Sequence, residues 1–477
     1  MLFSPLNADF YQYTMAYGYW RTQKQNQEAI FHLHYRKNPF EGGYCIAAGL
    51  DTALAFLSDF RLDKQSIAFL RTQQQGNKPL FSDDFLEYLA NLRLSVSIDA
   101  VAEGTLVFPY APLLRIQGSL LECQLIESAL VNIIGFQTLI ATRAARLTEA
   151  ANDEPILDFG MRRAHGLDAA LYASRAAYIG GIKATSNVRA AQRFNIPAAG
   201  THAHSWVMAF DAEEESFEAY ANIMPERCIL LVDTYDTLSG IDKAIQVAKS
   251  MQKQGKNLYG VRIDSGDLAY FGRQARKKLN KANLHDVKII ASGDLDEHLI
   301  ENLKQQKACI NAWGVGTKLA CADGNPSLGA VCKLSAIKRN NQWQDAIKVS
   351  DSREKINIPG ILQTKRFYKN KQMIADMIYD IRHNIHKPYN ITSPKDVTKQ
   401  KQMPLGLQEE DLLKPVFKHG KRVQKTPKLQ QIQQNTLANL KCLDKTCRRT
   451  INPHEYPVGL EHNLHLKRTE MIIKRTK

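Results

Sequence analysis

The chain has 477 residues, more than one ordinary hydrophobic core accommodates, so two domains are expected. Its hydrophobic content of 44% is typical of a globular protein, and its most apolar stretch, 129–141, is too short and too interrupted for a membrane span. The net charge is +15, and it comes from residues 331–477, with 30 Lys and Arg against 13 Asp and Glu. This basic third lacks the aromatic interleaving and motifs of nucleic-acid binding, which favours the surface of an enzyme that handles anions.

The cysteines and the N-terminus indicate a cytoplasmic protein. Eight cysteines are scattered along the chain, as in proteins of a reducing compartment. Cys442 and Cys447 lack the second pair that zinc-finger spacing requires. Residues 1–5 have neither the basic nor the apolar region of a signal peptide.

The first third of the chain alternates between helical and strand patterns. Hydrophobic periodicity predicts a helix over 4–20, a strand over 29–35, helices over 51–93 with breaks near Gly76 and Pro79, strands over 95–117, and a helix over 120–150. At the other end, strands are expected at 331–337, 367–368 and 373–376. Loops are expected across the Lys- and Gln-rich 395–428, and a helix is expected near 429–443.

The central region has six apolar runs that each end in a polar cluster and are separated by helix-length spacers. They cover 156–163, 196–205, 229–236, 258–267, 287–294 and 312–318. Strands with chemistry at their carboxyl ends are typical of a parallel barrel. The predicted fold is therefore α/β. An irregular parallel (β/α) barrel over 122–330 stands beside a flanking α/β domain built from 1–121 and 331–477.

A phosphate loop is one interpretation of the last run. Gly314-Val315-Gly316-Thr317-Lys318 combines glycines, which free backbone N–H groups to face an anion, with a hydroxyl and an ammonium group. A plain strand-to-helix turn is the other interpretation, and the glycine spacing is not that of a Walker A loop.

Carboxylates follow two of the other runs. Asp233 suits a residue that orients the substrate, a cation or a histidine, and it equally suits a helix N-cap. Asp264 and Asp267 suit Mg²⁺ shared with diphosphate oxygens, or again helix capping.

Cationic and nucleophilic side chains complete the strand ends. Arg262 and Arg162 are expected to meet anions, because a guanidinium in a barrel mouth is unfavourable without one and matches a carboxylate or phosphate. His204, between Thr201 and Ser205, suits a base, an anion ligand or a phosphoryl acceptor.

Seven motifs in order resemble the nicotinate phosphoribosyltransferase family. They are Asn7-x-Asp9-x-Tyr11-x-x-Thr14-Met15, Tyr35-Arg36-Lys37-Asn38-Pro39-Phe40, Gly160-Met161-Arg162-Arg163-Ala164, Gly200-Thr201-x-Ala203-His204-Ser205, Val232-Asp233-Thr234-Tyr235-Asp236, the run 260–267, and Gly314-Val315-Gly316-Thr317. The closing stretch 452–460 resembles bacterial members, and 380–450 is the least family-like part.

This resemblance implies a reaction and an assembly. Nicotinate and 5-phosphoribosyl-1-diphosphate would give nicotinate mononucleotide and diphosphate, with ATP hydrolysis and Mg²⁺. Such enzymes are dimers in which residues near the N-terminus reach the partner's site.

The resemblance also implies residue roles. Tyr11 would stack on the pyridine ring, Thr201, Arg262 and Arg162 would bind nicotinate, and Ser205, Gly316 and Thr317 would bind phosphate groups. His204 would accept a phosphoryl group from ATP, with Asp233 beside it and Asp264 as a Mg²⁺ ligand. His202 lacks the family match, and its loss is expected to matter much less than the loss of His204.

Three alternatives remain at this stage. Nicotinamide has no carboxylate for Arg262, and quinolinate would need more cations around a second carboxylate. A nucleic-acid-binding protein would use the basic third of the chain, but it would leave the strand-end Asp, His and Thr unexplained.

Overall fold

The structure is a computed structural model that describes residues 3–476. Met1 and Leu2, which belong to the segment 1–5 used in the signal-peptide argument, lie outside the described residues. The chain forms two compact units, a barrel unit of Ile140–Pro326 and a terminal unit made of Met1–Leu139 and Ser327–Lys477. The helix Glu127–Ala151 runs from one unit into the other.

Six parallel strands form the sheet of the barrel unit. In chain order they are Ile156–Asp158, Ala184–Thr185, Ile229–Leu231, Gly260–Ile263, Lys288–Ser292 and Ala312–Val315. The third to sixth strands pair in sequence, and the sixth then pairs with the first, which pairs with the second. An order in which the last strand pairs with the first is that of a parallel barrel opened at one position.

The remaining seam lies between the second and third strands, and it is crossed by a histidine side chain. A bridge joins Thr185 of the second strand to Ala198. Four residues later, His202 Nε2 accepts a hydrogen bond from the backbone N–H of Leu231 in the third strand, at 3.1 Å. The ring is therefore an irregular barrel that is closed at one position by a side chain.

Helices connect the barrel strands. They are Met161–Arg163 and Pro225–Arg227, both 3₁₀, and Leu167–Ile179, Val188–Phe194, His204–Met208, Glu213–Ile223, Thr237–Lys253, Leu268–Lys281, Glu297–Gln305 and Thr317–Ala320. Aspartates cap three of the longer ones, since Asp236, Asp267 and Asp296 accept backbone N–H groups of the first turn. Asp267, one of the two candidate Mg²⁺ ligands of its run, is thus a helix cap.

The terminal unit has two large sheets that combine both chain ends. The first has seven strands in the order Gln342–Asp345, Val331–Arg339, Glu28–His34, Leu114–Ser119, Ser97–Ala100, Lys414–Lys418 and Lys421–Arg422. The second has six in the order Gln400–Gln402, Asn390–Thr392, Val458–Glu461, Gln372–Asp380, Leu362–Lys369 and Gln408–Asp411. Smaller hairpins and pairs involve Cys45–Ile46 with Leu106–Val107 and Gln74–Gln75 with Lys78–Pro79.

Helices cover these sheets. They are Phe10–Arg21, Leu50–Asp59, Lys64–Arg71, Asp83–Asn91, Leu120–Leu125, Leu429–Cys442 and His462–Thr476, with 3₁₀ turns at Arg353–Lys355 and Lys445–Arg448. One core cluster joins distant segments, since Tyr110, Ile358, Ile378 and Leu460 are all buried together. Within residues 3–476, every helix is too short or too polar to cross a bilayer.

Two sequence predictions about this unit need correction. The stretch 395–428 is not a loop region, because it contributes Gln400–Gln402, Gln408–Asp411, Lys414–Lys418 and Lys421–Arg422 to the sheets. The helix predicted over 120–150 is two helices, because the chain caps and restarts at Ile126.

Candidate functional site

Arg262 is the centre of a hydrogen-bond network at the carboxyl ends of the barrel strands. Its Nε donates to Ser292 Oγ at 2.7 Å, Nη1 to Thr201 Oγ1 at 3.0 Å, and Nη2 to Asp264 Oδ1 at 2.9 Å. These bonds use three of the five N–H groups of a guanidinium. Since Arg262 pairs with nothing else among residues 3–476, two N–H groups remain for an anion.

Asp264 balances the charge of Arg262. Burial disfavours the ionised carboxylate, but hydrogen bonds from Ser292 and Arg262 outweigh that effect and lower the pKa of Asp264 below its usual value. The same oxygen, Oδ1, accepts from both Arg262 and Ser292. The guanidinium is thus held in one orientation before any substrate arrives.

An aromatic ring lies under the guanidinium. The Cζ atom of Arg262 stands 5.2 Å from the ring centroid of Phe159, which follows the first barrel strand. Gly314 of the sixth strand makes room for that ring, because a Cβ there would stand 2.5 Å from Phe159 Cε2. The Phe159 side chain is partly exposed, so a cation and an aromatic surface lie next to each other.

The two carboxylate oxygens of Asp233 differ in their hydrogen bonds. Its Oδ2 accepts the backbone N–H of Asp264 at 2.9 Å and the hydroxyl of Ser265 at 2.7 Å, which ties the third strand end to the fourth. Its Oδ1 is buried and has no hydrogen-bond partner among the described residues. An unpartnered buried carboxylate oxygen is unfavourable on its own and suits a cation or a charged imidazole.

His204 presents one ring nitrogen to the site. It is the first residue of the helix His204–Met208, and its Nδ1 lies 3.1 Å from Thr234 Oγ1. Its Nε2 lies 3.9 Å from Asp233 Oδ1, and 38% of the side chain is exposed. Thr234 therefore orients the ring, and Asp233 faces the nitrogen that remains reactive.

The other predicted barrel residues lie outside this network. Arg162 is exposed in the 3₁₀ turn Met161–Arg163 and has no ion pair within the described part of the chain. Its turn adjoins the sixth strand, since Phe159 N donates to Val315 O at 2.8 Å. The half-buried Gly316 and Thr317 follow that strand directly, which places them beside the Arg162 turn.

Ser205 and Tyr11 are exposed. Ser205 lies in the helix that begins with His204. Tyr11 belongs to the terminal unit, in the helix Phe10–Arg21, and is 48% exposed. Partial burial and the charge of Glu127 raise the pKa of its phenol, which stays neutral at ordinary pH.

Sequence reasoning missed Phe159, Ser292 and Thr234 and did not find the structural position of His202. The first three adjoin recognised strand-end residues, so their position was the available signal. His202 is buried with 8% exposure, its ring contacts Tyr220 at 4.7 Å, and it spans the barrel seam. The structure therefore gives His202 a place in the barrel wall, and the smaller effect of its loss compared with that of His204 stays a prediction.

No group of three or more His, Cys, Asp and Glu side chains within residues 3–476 has the arrangement of a metal cage. Cys442 and Cys447 are free thiols, and burial is the main cause that raises the pKa of Cys447.

Comparison with known proteins identifies the family. Residues 6–135 match the nicotinate phosphoribosyltransferase (NAPRTase) N-terminal domain, 155–372 the nicotinate phosphoribosyltransferase (NAPRTase) family, and 363–468 the nicotinate phosphoribosyltransferase C-terminal domain. The chain is 42% identical to the nicotinate phosphoribosyltransferase of Bacillus subtilis over 98% of this chain and 95% of that one. It is 33% identical to that of Caenorhabditis elegans, over 97% and 92%.

A solved structure agrees in fold. The human nicotinic acid phosphoribosyltransferase superposes with a TM-score of 0.84 at 29% identity, covering 97% of this chain and 99% of that one. The predicted α/β fold and family are thereby confirmed. The chain belongs to the nicotinate phosphoribosyltransferase family.

Proposed function

We propose that the network around Arg262 carries out the family's reaction, the transfer of a 5-phosphoribosyl group from 5-phosphoribosyl-1-diphosphate to nicotinate. The products are nicotinate mononucleotide and diphosphate, in NAD salvage. The observation that carries this proposal is the pre-oriented guanidinium of Arg262 beside the partly exposed ring of Phe159. A planar cation next to an aromatic surface suits an aromatic carboxylate.

The carboxylate end of nicotinate would meet Arg262 and Thr201. Two free N–H groups of Arg262 match the two oxygens of a carboxylate, and the Thr201 hydroxyl adjoins them at 3.0 Å. The pyridine ring would lie on Phe159. Nicotinamide has no carboxylate for the two free N–H groups of Arg262, and quinolinate would bring a second carboxylate for which this network has no second arginine.

The phosphoribosyl end would meet the loop after the sixth strand. Gly316 and Thr317 offer backbone N–H groups and a hydroxyl to the 5-phosphate. Because Arg162 adjoins this loop and is exposed, we assign it to the phosphate end of the site in preference to nicotinate. Ser205 would supply a further hydroxyl to the substrate's phosphate groups.

The chemical step is a displacement at C1 of the ribose. The pyridine nitrogen donates its electron pair to C1 as the C1–O bond to diphosphate breaks, and the bond electrons leave with diphosphate. The protein's part is to align the ring nitrogen with C1 and to bind the anionic ends of both reactants.

Magnesium fits the carboxylates of this site. The unpartnered Oδ1 of Asp233 suits a cation, and Mg²⁺ commonly takes only one or two carboxylates with substrate phosphate oxygens. Asp233 and Asp264 would hold it. When bound, the ion would neutralise charge on the departing diphosphate.

ATP would be coupled to the reaction through His204. The imidazole Nε2 attacks the γ-phosphorus of ATP, ADP leaves with the bond electrons, and water later takes the phosphoryl group from the ring. Thr234 holds Nδ1, which leaves Nε2 exposed for this attack. The negative Asp233 beside Nε2 favours a positively charged phosphoimidazole over a neutral one.

A homodimer would complete the site. Tyr11, together with Phe10 and Met15, exposes an apolar strip on the first helix, with exposures of 48%, 49% and 36%. A second copy of the chain that covers this strip would bring Tyr11 to its partner's pyridine ring. We place the enzyme in the cytoplasm, since all eight cysteines are unpaired.

Incubation with nicotinate, 5-phosphoribosyl-1-diphosphate, ATP and Mg²⁺ tests the reaction, with the mononucleotide measured by chromatography. The expected result is nicotinate mononucleotide formed at least tenfold faster than the product from nicotinamide or quinolinate. A preference for either alternative base would refute the assignment of Arg262 to a single carboxylate.

A further inference from the structure

A cavity of about 810 Å³ lies in the terminal unit, and the proposed reaction does not use it. Its walls come from four stretches of the chain, 37–43, 108–110, 391–401 and 451–459. This volume is within the usual range of small-molecule sites, about 300–1,000 Å³. It is much larger than a single phosphate or a metal ion needs.

Two motifs without a role in the proposed reaction meet at this cavity. Lys37 and Asn38 belong to the motif at 35–40, and eight consecutive lining residues belong to the closing stretch 452–460. These segments are over 400 residues apart in the chain. Their convergence on one concave surface is a product of the fold.

The cavity wall carries excess positive charge. Four lysines line it, and the acidic lining residues are Glu41 and Glu455. Lys395 and Lys399 share Glu455, at 3.6 and 2.8 Å, while Lys37 and Lys401 have no carboxylate partner among residues 3–476. A concave wall with a surplus of one charge concentrates its field on ions of the opposite charge.

The floor of the cavity is rigid. The rings of Phe108 and Tyr456 stack with centroids 3.9 Å apart and planes at 14°. Tyr456 donates to Asp376 Oδ1 at 3.0 Å, and Asp376 is held by the fully buried Arg366 through bonds of 2.8 and 2.7 Å. A floor fixed in this way loses little conformational freedom when a ligand binds.

The backbone of three residues that line the cavity is conformationally constrained as well. Glu41, Tyr110 and Asn452 have positive φ angles of 49°, 71° and 46°. Left-handed backbone at residues other than glycine costs of order 1 kcal/mol each and is frequent at ligand sites. Tyr110 also stands 5.8 Å from Lys395 Nζ, so an aromatic face lies beside a lysine.

We propose that this cavity binds a ligand that bears a polyphosphate group. Lysine ammonium groups are common phosphate ligands, and four of them in the lining of one cavity match several phosphate groups better than one. Inorganic tripolyphosphate and a nucleoside triphosphate share this chemistry. Phosphate binding by the lining lysines of residues 331–477 would explain part of that region's positive charge, with no need for nucleic-acid binding. The proposal does not depend on the enzymatic reaction.

Calorimetric titration of the full chain tests the proposal, with inorganic tripolyphosphate and ATP as separate probes in the presence of EDTA. The measurements use an Arg162→Ala, His204→Ala, Thr317→Ala background, because these three side chains are the ones assigned to phosphate groups and ATP at the barrel ends and their removal keeps that site from contributing. The expected result is one site per chain for tripolyphosphate. Adding Lys37→Gln with Lys401→Gln is expected to weaken binding at least tenfold.

Lys371→Gln is the matched control, because Lys371 is exposed in a hairpin turn and does not line the cavity. It should leave the affinity unchanged, and the melting temperatures of all variants should agree without ligand. Tighter binding of ATP than of tripolyphosphate would identify a nucleotide ligand, and the reverse an inorganic one. The proposal would be overturned if the protein bound neither tripolyphosphate nor ATP. It would also be overturned if the Lys37→Gln, Lys401→Gln protein and the Lys371→Gln protein bound the probe with equal affinity. Enzymatic inactivity of the wild type would refute the reaction and leave this measurement valid.

Discussion

Replacing His202 by leucine tests whether one side chain closes the barrel. The substitution removes the acceptor for the N–H of Leu231, a residue with 1% exposure. A buried N–H left without a partner costs about 1–3 kcal/mol. That cost corresponds to roughly fivefold to hundredfold faster amide exchange, because each 1.4 kcal/mol is a factor of ten.

Hydrogen exchange measured by mass spectrometry on a peptide that covers the third strand provides the assay. His202→Leu should accelerate exchange at Leu231. His202→Gln should preserve protection, because the amide oxygen of glutamine reaches as far as Nε2 and accepts the same hydrogen bond. Unchanged exchange in His202→Leu would refute the closure of the barrel by this side chain.

The pH dependence gives an independent check. Burial, assisted by the charges of Arg262 and His204, lowers the pKa of His202 from 6.5 to about 4, although a bond to the carbonyl of Ala203 opposes this. At about 1.4 kcal/mol per pH unit, this difference corresponds to about 3 kcal/mol. The unfolded chain binds this proton first, so the stability is full above pH 6.5 and is lost as the pH falls to 4.

His202→Gln cannot titrate, so its stability should fall less than that of the wild type across this range. His32 and His34, whose pKa values burial also lowers, are present in both proteins and cancel in the comparison. Identical pH profiles for wild type and His202→Gln would contradict a neutral, hydrogen-bonded His202.

Four further predictions concern the site. Arg262→Lys should lower kcat/KM for nicotinate roughly tenfold to hundredfold, because it removes a charged hydrogen bond worth about 1.5–3 kcal/mol. The KM for 5-phosphoribosyl-1-diphosphate should change little. Equal losses for both substrates in steady-state kinetics would argue against the assignment. His204→Ala should abolish ATPase activity and acid-labile labelling from γ-³²P ATP, yet retain slow ATP-independent transfer; label on the variant would exclude a phosphohistidine. Tyr11→Ala and His204→Ala chains, which should each lack ATP-stimulated synthesis, should regain some of it when mixed, and verified mixed dimers without recovery would show that each chain supplies its own Tyr11. Gly314→Ala should raise KM for nicotinate and destabilise the protein by about 1–3 kcal/mol, because its Cβ displaces the ring of Phe159; calorimetry and kinetics identical to wild type would contradict the close packing.

Local pattern predicted five of the six barrel runs correctly, because those strands are mostly buried. The runs at 156–158, 229–231, 260–263, 288–292 and 312–315 are largely apolar, and each forms a strand. The run at 196–205 was wrongly taken as a buried strand, because it makes only an isolated bridge at Ala198, which is exposed. Ala184–Thr185 was missed because two residues carry no periodicity. The strands within 395–428 were missed for another reason, since Lys414–Lys418 pairs with Ser97–Ala100 through backbone groups. Backbone hydrogen bonds do not require apolar side chains, so a Lys-rich strand shows little hydrophobic pattern in the sequence.

The sequence by itself determined the type of chemistry at each strand end. Arg262, His204, Asp233 and Thr317 follow apolar runs, and that position depends only on neighbouring residues. Tertiary structure decided how these groups combine. It placed the ring of Phe159 under Arg262. It set Nδ1 of His204 within hydrogen-bond distance of Thr234, where Asp233 had been the expected partner. It also made His202 part of the barrel wall. These outcomes depend on distances of a few ångströms between segments 30 to 100 residues apart, and hydrophobic periodicity does not encode such distances because it reports only which face of an element is buried.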